Sequence, residues 1–222
     1  MLNYFLKHTI GRKILMALSG FFLMFFLIQH LAINLLSVFS EDLFNSASHF
    51  MGTNFFVQFI LQPVLIFGVV FHLAMGVALE IQNRRATAQR YAYNSHNNSS
   101  WMSRNMIITG IMIFLFLCLH FVDFWIPEIE YKYIDAKREV NDRYFHELEE
   151  KFHDLWRVVL YVLSFCFLSL HLLHGFQSSF QSVGFTKRKY ASFIKKASVF
   201  YAIVVPFGFI FIAIYHYLIH IL

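Results

Sequence analysis

The sequence predicts an all-α membrane protein, a bundle of five transmembrane helices with the N-terminus inside and the C-terminus outside. Three observations predict it. Of 222 residues, 58% are hydrophobic and only 14% charged. The apolar residues fall in five runs close to the ~20 that a helix needs to cross a bilayer core. The basic residues collect between alternate runs. This composition excludes a soluble globular domain, a disordered chain and a secreted disulfide scaffold. Cys118 and Cys166 both lie inside apolar runs, outside any CxxC or CxxCH motif, so neither a disulfide framework nor covalent haem attachment is indicated.

Taken in order, the expected spans are residues 14–38, 55–79, 106–125, 155–180 and 199–222, all within one transmembrane domain covering the whole chain. Span I follows Lys7, Arg12 and Lys13 and is too long for a signal-peptide core, with no small-residue cleavage site after it, so it is expected to be retained. Each run is apolar all round rather than alternating, which excludes transmembrane strands. Pro63 and Pro206 each fall near a span end, and no internal repeat stands out. The segment 39–54 reads as a loop. The long connection at about 127–153 reads as an outer loop, partly helical through its ELEEKFHDLW stretch.

Orientation follows from charge, because cytoplasmic loops carry an excess of Lys and Arg. The N-terminus, the II–III loop (Arg84, Arg85, Arg90, Arg104) and the IV–V loop (Lys187, Arg188, Lys189, Lys195, Lys196) bring twelve basic residues to one side against a single acid, Glu80. The opposite side holds Glu41, Asp42 and an acid-rich III–IV segment. The net charge of +5 is therefore a topology signal, not a sign of nucleic-acid binding. The chain is therefore expected to cross its membrane several times from a cytoplasmic N-terminus.

Histidine carries the functional signal, with 12 copies, several deep in apolar runs. An imidazole in hydrocarbon needs a partner, so His30, His72, His120 and His171, one on each of spans I to IV, are functional candidates. At a rise of 1.5 Å per residue, His30 and His120 lie about 24 and 21 Å from the inner ends of their spans, and His72 and His171 about 10 and 14 Å. That makes an outer and an inner layer of two histidines each. Two such layers suit bis-imidazole ligation of two stacked b-type haems. A proton relay or a substrate-binding transporter also gathers midplane histidines, and composition alone leaves those readings open. Gly20, Gly76, Gly110 and Gly175 lie near the candidates and fit the close approach of a macrocycle.

At these residues the chain resembles the single-chain, five-helix, di-haem cytochrome b membrane anchor of succinate:quinone oxidoreductases and fumarate reductases. The motifs are FLIQHLAINLLSVFSEDLFNSASHFMG at residues 26–52, VFHLAMG around His72, LCLHFVD around His120 and LSLHLLHG around His171, in order over roughly residues 10–185. The resemblance implies axial ligation of an inner, proximal haem by His72 and His171 and of an outer, distal haem by His30 and His120. His174 rivals His171, and Gly175, four residues after His171, favours the latter. In a fumarate reductase branch a Glu implicated in transmembrane proton transfer stands two residues before the fourth ligand. Here that residue is Ser169, which favours succinate oxidation.

The resemblance further implies a flavoprotein subunit and an iron–sulfur subunit docked on the cytoplasmic side. Electrons would pass through both haems to a quinone, menaquinone by family habit, and a dimer of the whole complex is compatible with it. Expected quinone contacts near the outer haem are His49, Asn34, Asn45 and Ser46, and a histidine such as His49 suits a quinone that takes up protons on reduction. Expected propionate contacts near the inner ends of spans I and III are Ser19, Arg12, Ser103 and Arg104. The alternatives are a haem-free histidine-based transporter or proton channel, and the cytochrome b subunit of another membrane oxidoreductase such as a hydrogenase. His8, His96, His146, His153, His216 and His220 read as interfacial or loop residues.

Overall fold

The computed structural model describes residues 9–86, 105–135, 142–185 and 187–222. Helix α1 (Thr9–Phe39) is span I, and α2 (Glu41–Thr53) follows it after one residue. Span II is α3 (Gln62–Ala86), entered through a π-helical turn at Val57–Leu61. Span III is α4 (Met106–His120), which continues through a π-helical turn (Phe121–Trp125), one α turn (Ile126–Ile129) and a second π-helical turn (Glu130–Ile134). A short surface helix, α5 (Arg143–Lys151), precedes α6 (Leu155–Ser182, span IV) and α7 (Arg188–Ile221, span V). Five helices are thus long and apolar enough to cross a membrane, and no strand occurs among the described residues.

Several boundaries differ from the sequence expectation for readable reasons. Residues 41–53 are helical, not a loop. Ser40 caps α2 by accepting a hydrogen bond from the Leu43 amide at 3.3 Å, and Glu41 and Asp42 sit in its first turn, where the helix dipole favours acids. Span III runs on to Ile134 because Glu128 and Lys132, four residues apart, form an ion pair along the emerging helix. The ELEEKFHDLW stretch is partly helical, as expected: its first five residues close α5, the chain breaks at Phe152 to Asp154, and Leu155 and Trp156 open α6. Span V starts at Arg188 rather than Val199, since a helix continues into its charged interfacial turns where hydropathy falls.

Three prolines lie within the long helices, and each is accommodated. Proline lacks the N–H that would bond the carbonyl four residues earlier and its ring crowds that carbonyl. Before Pro63 and Pro127 the helix widens, so that the Gln62 amide bonds the Val57 carbonyl and the Ile126 amide bonds the Phe121 carbonyl, each five residues back. Pro206, now in the interior of α7, leaves the Ala202 carbonyl without its helical partner. The Ser169 hydroxyl of α6 donates to that carbonyl at 2.6 Å.

Packing makes a ring of four helices, α1 against α3, α3 against α4, α4 against α6 and α6 against α1, with α7 in the groove between α1 and α6. Helices α1 and α7 run parallel in a constant register. The Tyr201 hydroxyl donates to the Met24 carbonyl at 2.7 Å, and the Tyr215 hydroxyl to the Val38 carbonyl at 3.2 Å, the same offset of 177 residues. Gly208 meets Leu31 at that offset too, and a Cβ there would come within 2.8 Å of the leucine side chain. Polarity is arranged for lipid. Ser19, Ser37, Thr109, Asp123, Ser179 and Ser198 are buried, while Phe25, Phe67, Phe193 and Phe207 stand exposed.

The Ser169→Ala substitution should destabilise the bundle by about 1–2 kcal/mol, the cost of an unsatisfied buried carbonyl. Adding Pro206→Ala should recover most of that loss, because the new amide bonds Ala202. A double-mutant cycle on detergent-solubilised protein, read by denaturant midpoint, measures both.

Candidate functional site

The four-helix ring brings its histidines together across its diagonals. His30 of α1 faces His120 of α4, with ring centroids 5.8 Å apart and planes at 86°. His72 of α3 faces His171 of α6 at 6.4 Å and 66°. His171, rather than His174, is the partner of His72. The outer pair is jacketed by aromatics: Phe26 and Phe209 lie against His30, and Phe116, Phe124 and Tyr161 against His120. Around the inner pair the neighbours are small. A Cβ at Gly20 would sit 3.7 Å from His72 Cε1, and one at Gly110 would sit 3.8 Å from His171 Cε1.

Hydrogen bonding differs between the layers. Ser19 Oγ lies 2.9 Å from His72 Nδ1, and Thr109 Oγ1 lies 3.1 Å from His171 Nδ1. In the outer pair the Asn34 amide donates to the His30 carbonyl at 2.8 Å and approaches His30 Nδ1 only to 3.4 Å, while His120 Nδ1 is buried without a partner among the described residues.

These residues fit an iron carried by a macrocycle. Each couple brings two imidazoles from diagonally opposed helices together, and a pair of neutral imidazoles is a donor set that would hold a haem iron. Among the described residues no three His, Cys, Asp or Glu side chains gather to hold a bare ion, whereas a haem asks the protein for only two axial ligands. The unpartnered nitrogen of His120 is of the kind that a bound group satisfies.

A second polar cluster lies just beyond the outer pair. Asp123, 3% exposed, accepts a hydrogen bond from the Tyr161 hydroxyl at 2.9 Å and is paired with Arg157 Nε at 3.3 Å. The Tyr161 ring also contacts His120. In the sequence Asp123 is one acid among many in the III–IV segment. Its place three residues after His120, on the same helix side, was the available signal.

The expected quinone contacts are spread over the end of the bundle where α2 and α5 lie. Asn34 is beside His30, whereas Asn45 Oδ1 accepts from the Phe145 amide at 2.8 Å and so caps α5. Ser46 is exposed on α2, and His49 lies against the Tyr144 ring at 6.5 Å. Next to them Arg143 bonds Glu128 and Glu147 and stacks on Tyr131 and Tyr144. Burial opposes its charge, but those two carboxylates outweigh burial and raise its pKa above the ordinary arginine value. Of the propionate candidates, Ser19 has its hydroxyl against His72, Arg12 lies on the first turns of α1, and Ser103 and Arg104 fall outside the described residues, as do His8 and His96.

His216 requires correction. Read from sequence as an interfacial residue, it is 1% exposed and its Nε2 lies 2.9 Å from Ser37 Oγ, joining α7 to α1. Thr109 joins the expected residues at this site. A spacing could have found it: Ser19-Gly20 stands eleven residues before His30, and Thr109-Gly110 eleven residues before His120. Eleven residues make close to three helical turns, so hydroxyl and imidazole share one face of each helix.

Residues 80–210, more than half of the chain, match the family described as "Succinate dehydrogenase/Fumarate reductase transmembrane subunit". The chain belongs to that family. The matched stretch contains His120 and His171. The chain is also similar to the "Succinate dehydrogenase cytochrome b558 subunit" of Bacillus subtilis (strain 168), 31% identical over 96 residues, which is 43% of this chain and 45% of that protein. The alignment therefore spans less than half of the relative's length. No solved structure matches. Family membership and five membrane-crossing helices agree with a multi-pass membrane subunit.

Replacing Arg157 with Leu should destabilise the protein by about 3 kcal/mol, since it leaves the Asp123 charge buried and unpaired. Adding Asp123→Asn should restore much of the loss. Thermal unfolding in detergent distinguishes the single from the double variant.

Proposed function

We propose that this chain is the haem-bearing membrane anchor of a succinate:quinone oxidoreductase, a single transmembrane domain with its N-terminus on the cytoplasmic side. The observation that carries the reading is the pair of cross-diagonal imidazole couples, at 5.8 and 6.4 Å, in a chain of this family. His72 and His171 would hold the inner haem b, and His30 and His120 the outer one. Bound there, the two haems supply one-electron carriers across a bilayer that otherwise insulates.

The chain's own residues do the rest. The side where α1 begins, rich in Lys and Arg, receives the iron–sulfur subunit, itself joined to the flavoprotein that oxidises succinate. The aromatic jacket of Phe26, Phe116, Phe124 and Phe209 keeps water from the outer pair. A quinone, menaquinone by the family resemblance, is reduced near the outer end, where His49, Asn34 and Ser46 offer hydrogen-bond partners and His49 can exchange a proton. Ser169 is committed to the Ala202 carbonyl and has no carboxylate to move a proton through the hydrocarbon, which supports succinate oxidation as the working direction.

An optical redox titration of the purified complex should show two b-type components. His30→Ala or His120→Ala should remove one, and His72→Ala or His171→Ala the other. A colourless wild-type protein would support a haem-free channel or transporter instead. Co-purification with a hydrogenase in place of a flavoprotein would move the chain to another oxidoreductase.

A further inference from the structure

We propose that Ser19 and Thr109 are positioning residues that select the tautomer of the inner pair, presenting Nε2 of His72 and of His171 as the metal-binding nitrogens and setting how strongly they donate. This rests on the haem reading above and adds residues to it.

A hydroxyl has one proton and two lone pairs. Ser19 Oγ donates to the Met16 carbonyl at 2.8 Å, and Thr109 Oγ1 donates to the Met106 carbonyl at 2.9 Å, each three residues back on its own helix. With its proton committed, each oxygen can only accept from the imidazole it faces. The hydrogen at 2.9 Å in one case and 3.1 Å in the other therefore belongs to Nδ1 of His72 and of His171. A neutral imidazole carries one N–H, so Nε2 keeps its lone pair in both rings.

Two further observations show that this is a built arrangement. The same device occurs twice, as Ser-Gly then His eleven residues after the hydroxyl on α1, and as Thr-Gly then His at the same spacing on α4. In each copy the hydroxyl holds the inner histidine of the neighbouring helix, and the glycine keeps the backbone close to that ring, with a Cβ at Gly20 also falling 3.1 Å from Ser179 Oγ. The contrast is His216. Ser37 Oγ donates to the Asn34 carbonyl at 2.7 Å and meets His216 through Nε2, so there the lone pair is left on Nδ1. The edge that meets the hydroxyl decides which nitrogen is free.

An Nδ1–H that donates to an oxygen makes the opposite nitrogen more basic, and a more basic axial ligand favours ferric iron and lowers the midpoint potential. Ser19→Ala and Thr109→Val remove the acceptors with little change of volume. In the purified complex both variants should keep two haems. The component that is lost in His72→Ala or His171→Ala should rise in midpoint potential and shift its low-spin EPR signal, while the other component stays in place. Ser19→Thr and Thr109→Ser, which retain a hydroxyl, should match the wild type and show that loss of the acceptor is what counts. Full haem content with unmoved potential and EPR signal would overturn the inference and leave the haem reading standing. Equal movement of both components, or loss of haem in the conservative variants as well, would make the role purely structural and also overturn it. A wild-type complex without haem would remove both readings together.

Discussion

A polar group in hydrocarbon has no water to turn to, and this constraint shapes the whole bundle. Every buried donor or acceptor must find its partner on another helix, on its own backbone or in a bound group. Ser19, Ser37, Thr109, Asp123, Ser179 and Ser198 therefore turn inward, and Phe25, Phe67, Phe193 and Phe207 turn outward. Serine and threonine do much of the joining. Ser169 completes the α7 carbonyl that Pro206 strands, Ser37 ties His216 to α1, and Ser19 and Thr109 meet the inner histidines. None of these contacts is strong alone. Together they replace the solvent that the segment gave up on entering the membrane.

The same constraint separates the two histidine layers. At the inner layer, hydroxyl partners and glycines leave little freedom in how the rings are oriented. The outer layer is held by aromatic packing, with Asn34 bonded mainly to backbone and His120 Nδ1 without a partner among the described residues. Close by, Asp123, Tyr161 and Arg157 form a charged cluster that balances itself. Polarity is thus distributed unequally along the bundle, with the ion pairs of Asp123 with Arg157 and of Arg143 with Glu128 and Glu147 near the end where α2 and α5 pack together.

Long apolar runs made the five spans legible, because a bilayer imposes a length that few other environments require. The histidines were legible for the same reason, since such a residue in such a run needs an explanation. Their depth layers followed from the helical rise. Helix α2 was less visible, although Ser40 followed by Glu41 and Asp42 is a start signal that the surrounding charge count obscured. The extensions of α4 and α7 were hidden because hydropathy reports where hydrocarbon ends, and a helix does not stop there. Pro206 was placed near a span end by that same error.

By itself, the sequence determined the number of crossings, the residues that could not sit in lipid without a partner, and the pairing of histidines by depth. These are one-dimensional properties, set by composition and by a fixed rise per residue. Only the tertiary structure decided which helices lie diagonal to each other, that the Ser19 hydroxyl meets a histidine on α3, and that His216 is buried rather than interfacial. Those facts depend on how helices rotate about their axes and pack, and the relevant partners lie 53, 62 and 179 residues apart. No local pattern encodes a contact at that separation until the bundle has closed.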